Sequence, residues 1–211
     1  MLKALSPLVF STVLLATGAL PSFAQATAWQ IDPAHSAAQF TVRHLMIANV
    51  KGDFSKVTGV VNLDEKDITK SFAEVTIDTT TVNTGEPKRD AHLRSADFFD
   101  VERYSTMTFR SKRITPAGEG KFKMTGDLTI RGVTREVTFD VEGPTPAIKD
   151  PWCNARAGAT ATAKINRKDF NVLWNATMDG GGVVVGDEVT ITVDVEMFKK
   201  AAPPSPAIGG K

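Results

Sequence analysis

The segment HSAAQFTVRH, from His35 to His44, holds two of the three histidines in the 211-residue chain. The third is His92. Imidazole is the usual neutral-pH base and the commonest zinc ligand, so two rings in one short stretch suggest a metal or acid–base site. Their spacing argues otherwise. The separation from position 35 to position 44 is odd, and along a regular strand an odd step sends side chains to opposite faces. His44 shares parity with Phe40 and Val42, whereas His35 follows Asp32-Pro33 near the strand start. A zinc site built on His35, His44 and His92 would use every imidazole in the chain and still lack a fourth ligand. His44 reads as an interior polar group that bonds a neighbour or a ligand head, and His35 as a tie from the strand start to a loop.

Other chemistries find weaker footing. Ser36 adjoins His35, but neighbouring strand residues point apart and no Gly-x-Ser-x-Gly elbow is present. Asp97 and Asp100 flank aromatics in a turn, where Arg94 or Arg103 supplies the counter-charge. Gly180, Gly181 and Gly182 are followed by no Lys-Ser/Thr and by no helical pattern, so they read as a hairpin tip. Cys153 is the single cysteine, which rules out an internal disulfide and a Cys-based metal knot. With 25 basic and 24 acidic residues, a net charge of +1 and no long basic run, nothing supports nucleic-acid binding.

The elements that must position these residues alternate with period 2. Ala38, Phe40, Val42 and His44 share one face; Val57, Gly59, Val61 and Leu63 repeat the pattern, as do Val75 and Ile77. Met107 with Phe109, Phe122 through Ile130, Val137 through Val141, and Val189 through Met197 follow suit. Pro116-Ala117-Gly118, Arg131-Gly132 and Gly143-Pro144 punctuate them, predicting about eight strands in an all-β, largely antiparallel domain. One stretch, Glu86 to Tyr104, has no alternation and predicts a short helix from Pro87 followed by an irregular Asp97-Phe98-Phe99-Asp100 turn. A stripe of Ala155, Ala157, Ala159, Ala161 and Ala163 fits either a strand pressed on another layer or small side chains leaving space inside a barrel. A sandwich and a closed barrel are both open to this pattern, with strand length favouring the barrel.

At the ends, Lys3 and the apolar run Leu8 to Leu20, followed by Pro21 and small residues, predict a secretory signal over 1–26. The apolar run is short for a bilayer span, and no cysteine follows it to carry a lipid. The mature chain is expected in the periplasm, with one domain over 27–200, no integral membrane segment and a loose tail over 201–211 rich in Pro, Gly and Ala.

Five ordered blocks together resemble the YceI-like family of exported bacterial proteins. They are Trp29-Gln30-Ile31-Asp32-Pro33-Ala34-His35-Ser36 with Phe40 to His44; Val50 to Phe54; Arg89-Asp90 with Leu93 to Asp100; Gly126 to Thr134; and Ile165 to Phe170. Two positions depart from the family pattern: Ser105 after Tyr104, where proline is usual, and Asn171 after Phe170, where glycine is frequent. The resemblance implies an extended, eight-stranded, lipocalin-like antiparallel barrel with a helical segment around 87–100 and a long apolar pocket. It implies binding, transport or storage of a polyisoprenoid or other long-chain amphiphile, isoprenoid quinones included, without catalysis or cofactor. Strand parity then nominates Phe40, Val42, Phe109, Met124, Leu128, Phe139 and Ile191 as pocket lining, joined by Trp174, with His44 and Arg94 at the ligand head. A homodimer is the expected assembly. The competing functions are a metal-dependent hydrolase or isomerase using His35, His44 and His92, and a stress-induced interaction module with a filled barrel.

Overall fold

Alternating apolar and polar residues form twelve strand segments within residues 27–199, the residues that the computed structural model describes. The expected signal segment and the expected tail lie outside the described residues. The segments are β1 (Thr27–Ile31), β2 (Ala37–His44), β3 (Ala48–Phe54), β4 (Val57–Leu63), β5 (Phe72–Asp78) and β6 (Val82–Asn83), then α1 (Pro87–Arg94). After the helix come β7 (Thr106–Pro116), β8 (Lys121–Ile130), β9 (Val133–Glu142), β10 (Ile148–Lys149), β11 (Ala155–Asn166) and β12 (Val185–Lys199).

Twelve segments make eight staves because four staves are interrupted. β1 and β2 lie along one edge of β12, through Ile31↔Met197 and Ala37↔Asp194, and are parted by Asp32-Pro33, where proline has no N–H to donate. β3 and β4 run together against them; β5 and β6 are split by a single 3-10 turn, Thr79–Thr81, in which the Thr80 N–H and hydroxyl donate to the Asp78 side chain. β9 and β10 share an edge of β11 and are separated by Gly143-Pro144-Thr145-Pro146. Each stave pairs antiparallel with its sequence neighbours, and β12 closes the ring on β11 from Ala155↔Lys199 to Asn166↔Glu188. The result is the expected closed, eight-stranded, antiparallel lipocalin-like barrel. Full closure leaves no long edge to template aggregation.

The alanine stripe of β11 faces inward: Ala157 and Ala163 are buried, and Ala159 and Ala161 reach the interior space. Its other face carries Thr160, bonded to Asp194 at 2.8 Å, and Lys164, paired with Glu188. Helix α1 starts where expected, with Pro87 in its first turn and the Glu86 side chain accepting from the Lys88 N–H. Eight residues are too few for independent stability, so the helix depends on tertiary bonds. Buried Asp90 supplies them, accepting from the N–H and hydroxyl of Thr84. Asn171, where the family often has glycine, adopts φ +58° and closes the 3-10 turn Arg167–Phe170 through its N–H. Asparagine tolerates that left-handed conformation better than other side chains, so the departure preserves the turn.

One glycine is fixed by a close approach. β7 and β8 slip register between Ser111 and Arg113, and a Cβ at Gly126 would run into the Arg110 carbonyl oxygen and lie 2.7 Å from the Phe109 ring. Gly126→Ala should therefore cost about 1–3 kcal/mol, the usual scale of overpacking. Urea denaturation checks this, and a loss below about 0.5 kcal/mol would show that the bulge relaxes freely.

Candidate functional site

The inward faces of the staves do not meet at the barrel axis. They leave a continuous cavity of about 220 Å³. A single water needs only about 10–15 Å³ of such space, so this void greatly exceeds the gaps that core packing normally leaves. Along β12 alone the wall runs from Val189 through Ile191, Val193 and Val195 to Met197, a strand length of roughly 27 Å. Apolar side chains supply nearly all of the lining; Gln39, Ser71 and Arg167 are its polar residues. Gln39 directs its amide outward to Asp194, which leaves Ser71 and Arg167 as inward polar groups.

The two ends differ. One is capped by α1, the Asp97–Asp100 turn and the Arg167–Phe170 turn, with Phe98, Phe170 and Val172 buried in the same core as Phe54 and Val82. Arg131 fastens this cap, donating to the carbonyls of Ala96 and Asn171 at 2.6 Å each. At the other end, Phe72 both lines the cavity and is 42% exposed, so the space reaches the surface there. Ile68 and Pro144 lie on the same rim.

Phe40, Val42, Phe109, Met124, Leu128, Phe139 and Ile191 all line this cavity. Phe109 meets Phe139 edge-on at 5.1 Å between centroids, and Phe40 tilts against Phe54 at 5.8 Å. His44, Arg94 and Trp174 lie outside the lining, each for a local reason. His44 sits on the last pair before the β2–β3 turn, opposite Ala48, beyond the enclosed part of the barrel. Arg94 turns its guanidinium back to the carbonyls of Thr80 (2.9 Å) and Val82 (2.7 Å), binding the helix to the β5–β6 stave. Trp174 stacks edge-on with His92 at 4.8 Å and against Phe98 at 5.3 Å, on the outer side of the cap. His92 in turn bonds Asp97 at 2.9 Å.

The residues missed from sequence are Ser71, Phe72 and Arg167, together with the cap aromatics Phe98, Phe99 and Phe170. Arg167 continues the parity of Ala157, Ala159, Ala161, Ala163 and Ile165, and Ser71 that of Ala73, Val75 and Ile77. One more step along each inward stripe reaches them. Arg167 is only 5% exposed and donates to the carbonyls of Val172 (2.6 Å), Trp174 (2.9 Å) and Gly186 (2.9 Å). Burial pushes its guanidinium below the ordinary arginine range, and the nearby Asp187 carboxylate partly offsets this.

A second polar cluster lies at the open end, on the outside of the wall. Arg156 joins Asp32 (2.7 Å), Asp150 (2.8 Å) and Glu196, tying β11 to the β1–β2 break, the 143–154 excursion and β12. Among the described residues, Asp32, His35 and Glu196 are the one trio of metal-type side chains with ligand atoms close together, so His44 and His92 do not join His35. Both carboxylates of that trio already pair with Arg156. The hydrogen bond from Arg156, aided by His35, holds Asp32 at about 2, below its ordinary 3.8. Asp150 also falls to about 2: desolvation raises it, but bonds from Arg156, Asn154 and backbone N–H groups outweigh that.

Because these carboxyls have folded pKa values below their unfolded values, the stability they contribute is complete above about pH 4 and is lost as pH falls towards 2. Denaturation midpoints should therefore drop steeply between pH 4 and 2. Asp32→Asn should flatten that drop, and identical slopes for the two proteins would refute the assignment.

Compared with known proteins, residues 29–197 match the model of the YceI-like domain. A UPF0312 protein of Vibrio parahaemolyticus is 40% identical over 166 residues, covering 78% of this chain and 87% of the relative. The crystal structure of BcnA from Burkholderia cenocepacia superposes with a TM-score of 0.67 at 27% identity, over 79% of this chain and 98% of that one. A domain from Saccharophagus degradans described as polyisoprenoid-binding shares the fold at 14% identity, with a TM-score of 0.56 over 82% and 98% of the two chains. A hollow, one-end-capped barrel and a family match across nearly all of its described length lead to one conclusion: this chain belongs to the YceI-like family.

Proposed function

We propose that the protein is an exported, non-enzymatic carrier or store that holds one long-chain amphiphile, an isoprenoid or fatty derivative, inside its barrel. The observation that carries this reading is the cavity itself: continuous, walled by apolar side chains, capped at one end and reaching solvent at the other. Each methylene moved from water into such a space contributes about 0.8 kcal/mol, so chain length drives affinity. Few oriented polar groups are needed. The name of the Saccharophagus domain supports an isoprenoid ligand, and the apolar run near Lys3 supports export to the periplasm.

Hydrolysis or isomerisation at a three-histidine metal centre finds no support in the positions of the imidazoles, since His35 bonds Asp32 and His92 bonds Asp97. The filled-barrel interaction module is disfavoured by the open space along the axis. Native mass spectrometry of protein purified without detergent from its own cell envelope should show an additional mass in the lipid range. It should be matched by saturable binding of a polyprenyl or fatty probe. A clean apo mass together with no binding of either probe would end this reading.

A further inference from the structure

The carrier reading leaves open which way round the ligand lies and what its head must offer. Among the described residues, the one buried side-chain nitrogen or oxygen without a hydrogen-bond partner is Trp29 Nε1. Trp29 is 3% exposed, at the open end of the barrel. Its indole packs among Val61, Leu63, Val195 and Met197, and all four line the cavity. An unpaired buried donor carries a desolvation penalty that a native fold rarely leaves standing without a purpose.

A second unused donor lies at the same end. Ser71, 8% exposed and part of the lining, accepts from the Asp64 N–H at 2.9 Å through its Oγ. Its own hydroxyl hydrogen has no acceptor among the described residues. β4 links the two donors: Val61 pairs with Trp29, and Asn62 pairs with Phe72, the residue after Ser71. The cavity's other inward polar group, Arg167, is already bonded to carbonyls at the capped end.

Resting on the carrier reading, we infer that Trp29 Nε1–H and Ser71 Oγ–H form a head-group site for a hydrogen-bond acceptor, with the ligand tail running towards the Phe170 cap. Both groups offer donors, so the matching head is an acceptor. No basic side chain lines that end of the cavity, so an ionised carboxylate would be buried without a counter-charge. The chemical class is therefore a long-chain amphiphile with a neutral carbonyl head: a ketone, quinone or ester. Met197 packs in the same cluster as the indole and itself lines the cavity, and its unbranched thioether chain is the adaptable element that can repack to admit the carbonyl oxygen.

The test compares two probes delivered identically, a long-chain methyl ketone and the n-alkane of equal carbon number. The ketone should bind about ten-fold more tightly, the ratio expected for one to two added hydrogen bonds. In proton–nitrogen NMR spectra, the Trp29 Nε1–H resonance should move on adding ketone and stay still on adding alkane. Trp29→Phe and Ser71→Ala should each weaken ketone binding about three- to ten-fold and bring the ketone-to-alkane affinity ratio towards one, with circular dichroism reporting that each variant is folded. Equal affinity for the two probes with an unmoved indole resonance would overturn the head-group site and leave the carrier reading intact. Binding of neither probe would overturn both.

Discussion

Arg167→Leu should destabilise the protein by about 3–5 kcal/mol, the scale expected when several buried carbonyls lose their charged donor together. The guanidinium is 5% exposed and holds the carbonyls of Val172, Trp174 and Gly186 at bonding distance, with Val185 O and Asp187 Oδ1 further off at 3.4 Å. Leucine keeps much of the apolar bulk but leaves these acceptors unpaired, at about 1–3 kcal/mol for each one that stays dry. The affected segments, 171–174 and 185–187, form one side of the cap, so the same change should loosen the closed end. Arg167→Lys should recover only part of the loss, because an ammonium cannot reproduce the planar fork that reaches three carbonyls at once. Urea denaturation of both variants checks the prediction, and a leucine variant within about 1 kcal/mol of the parent would refute it.

The barrel was legible because its signal is local and repeated. Stripes such as Phe122 to Ile130 fix which residues share a face, and hairpin turns fix which strands pair. The interruptions were less visible. Asp32-Pro33 breaks a stave that continues beyond it, so a reader of alternation counts one strand start where the barrel has a joint. Parity also nominated seven residues, from Phe40 to Ile191, that line the cavity, because the inward face is the apolar one along each stave. It failed at stave ends. His44 keeps the right parity but lies beyond the enclosed space, and Arg94 and Trp174 sit in non-strand segments where parity says nothing. Ser71 and Arg167 were overlooked for the opposite reason. They continue the inward stripes, but a serine and an arginine do not look like interior residues until their buried partners are known.

Ala161→Phe should abolish high-affinity ligand binding while leaving the fold intact or slightly more stable. Ala161 faces the cavity midway along β11, paired with Val141 on one side and Val193 on the other, and both of these also line the space. In a packed core, adding a ring at an alanine forces strain of about 1–3 kcal/mol. Here the ring enters a void and gains apolar burial, so the unfolding free energy from urea denaturation should hold or rise by up to about 1–2 kcal/mol. The ligand meets the opposite effect. A tail stopped at the ring loses the burial of the methylenes beyond it, and about four of them amount to roughly 3 kcal/mol, or two orders of magnitude in Kd. Short-chain probes that end before the ring should bind almost as they do to the parent, while long chains lose most. The dependence of affinity on chain length, measured for both proteins, distinguishes a threaded tail from surface adsorption, for which the two curves would coincide.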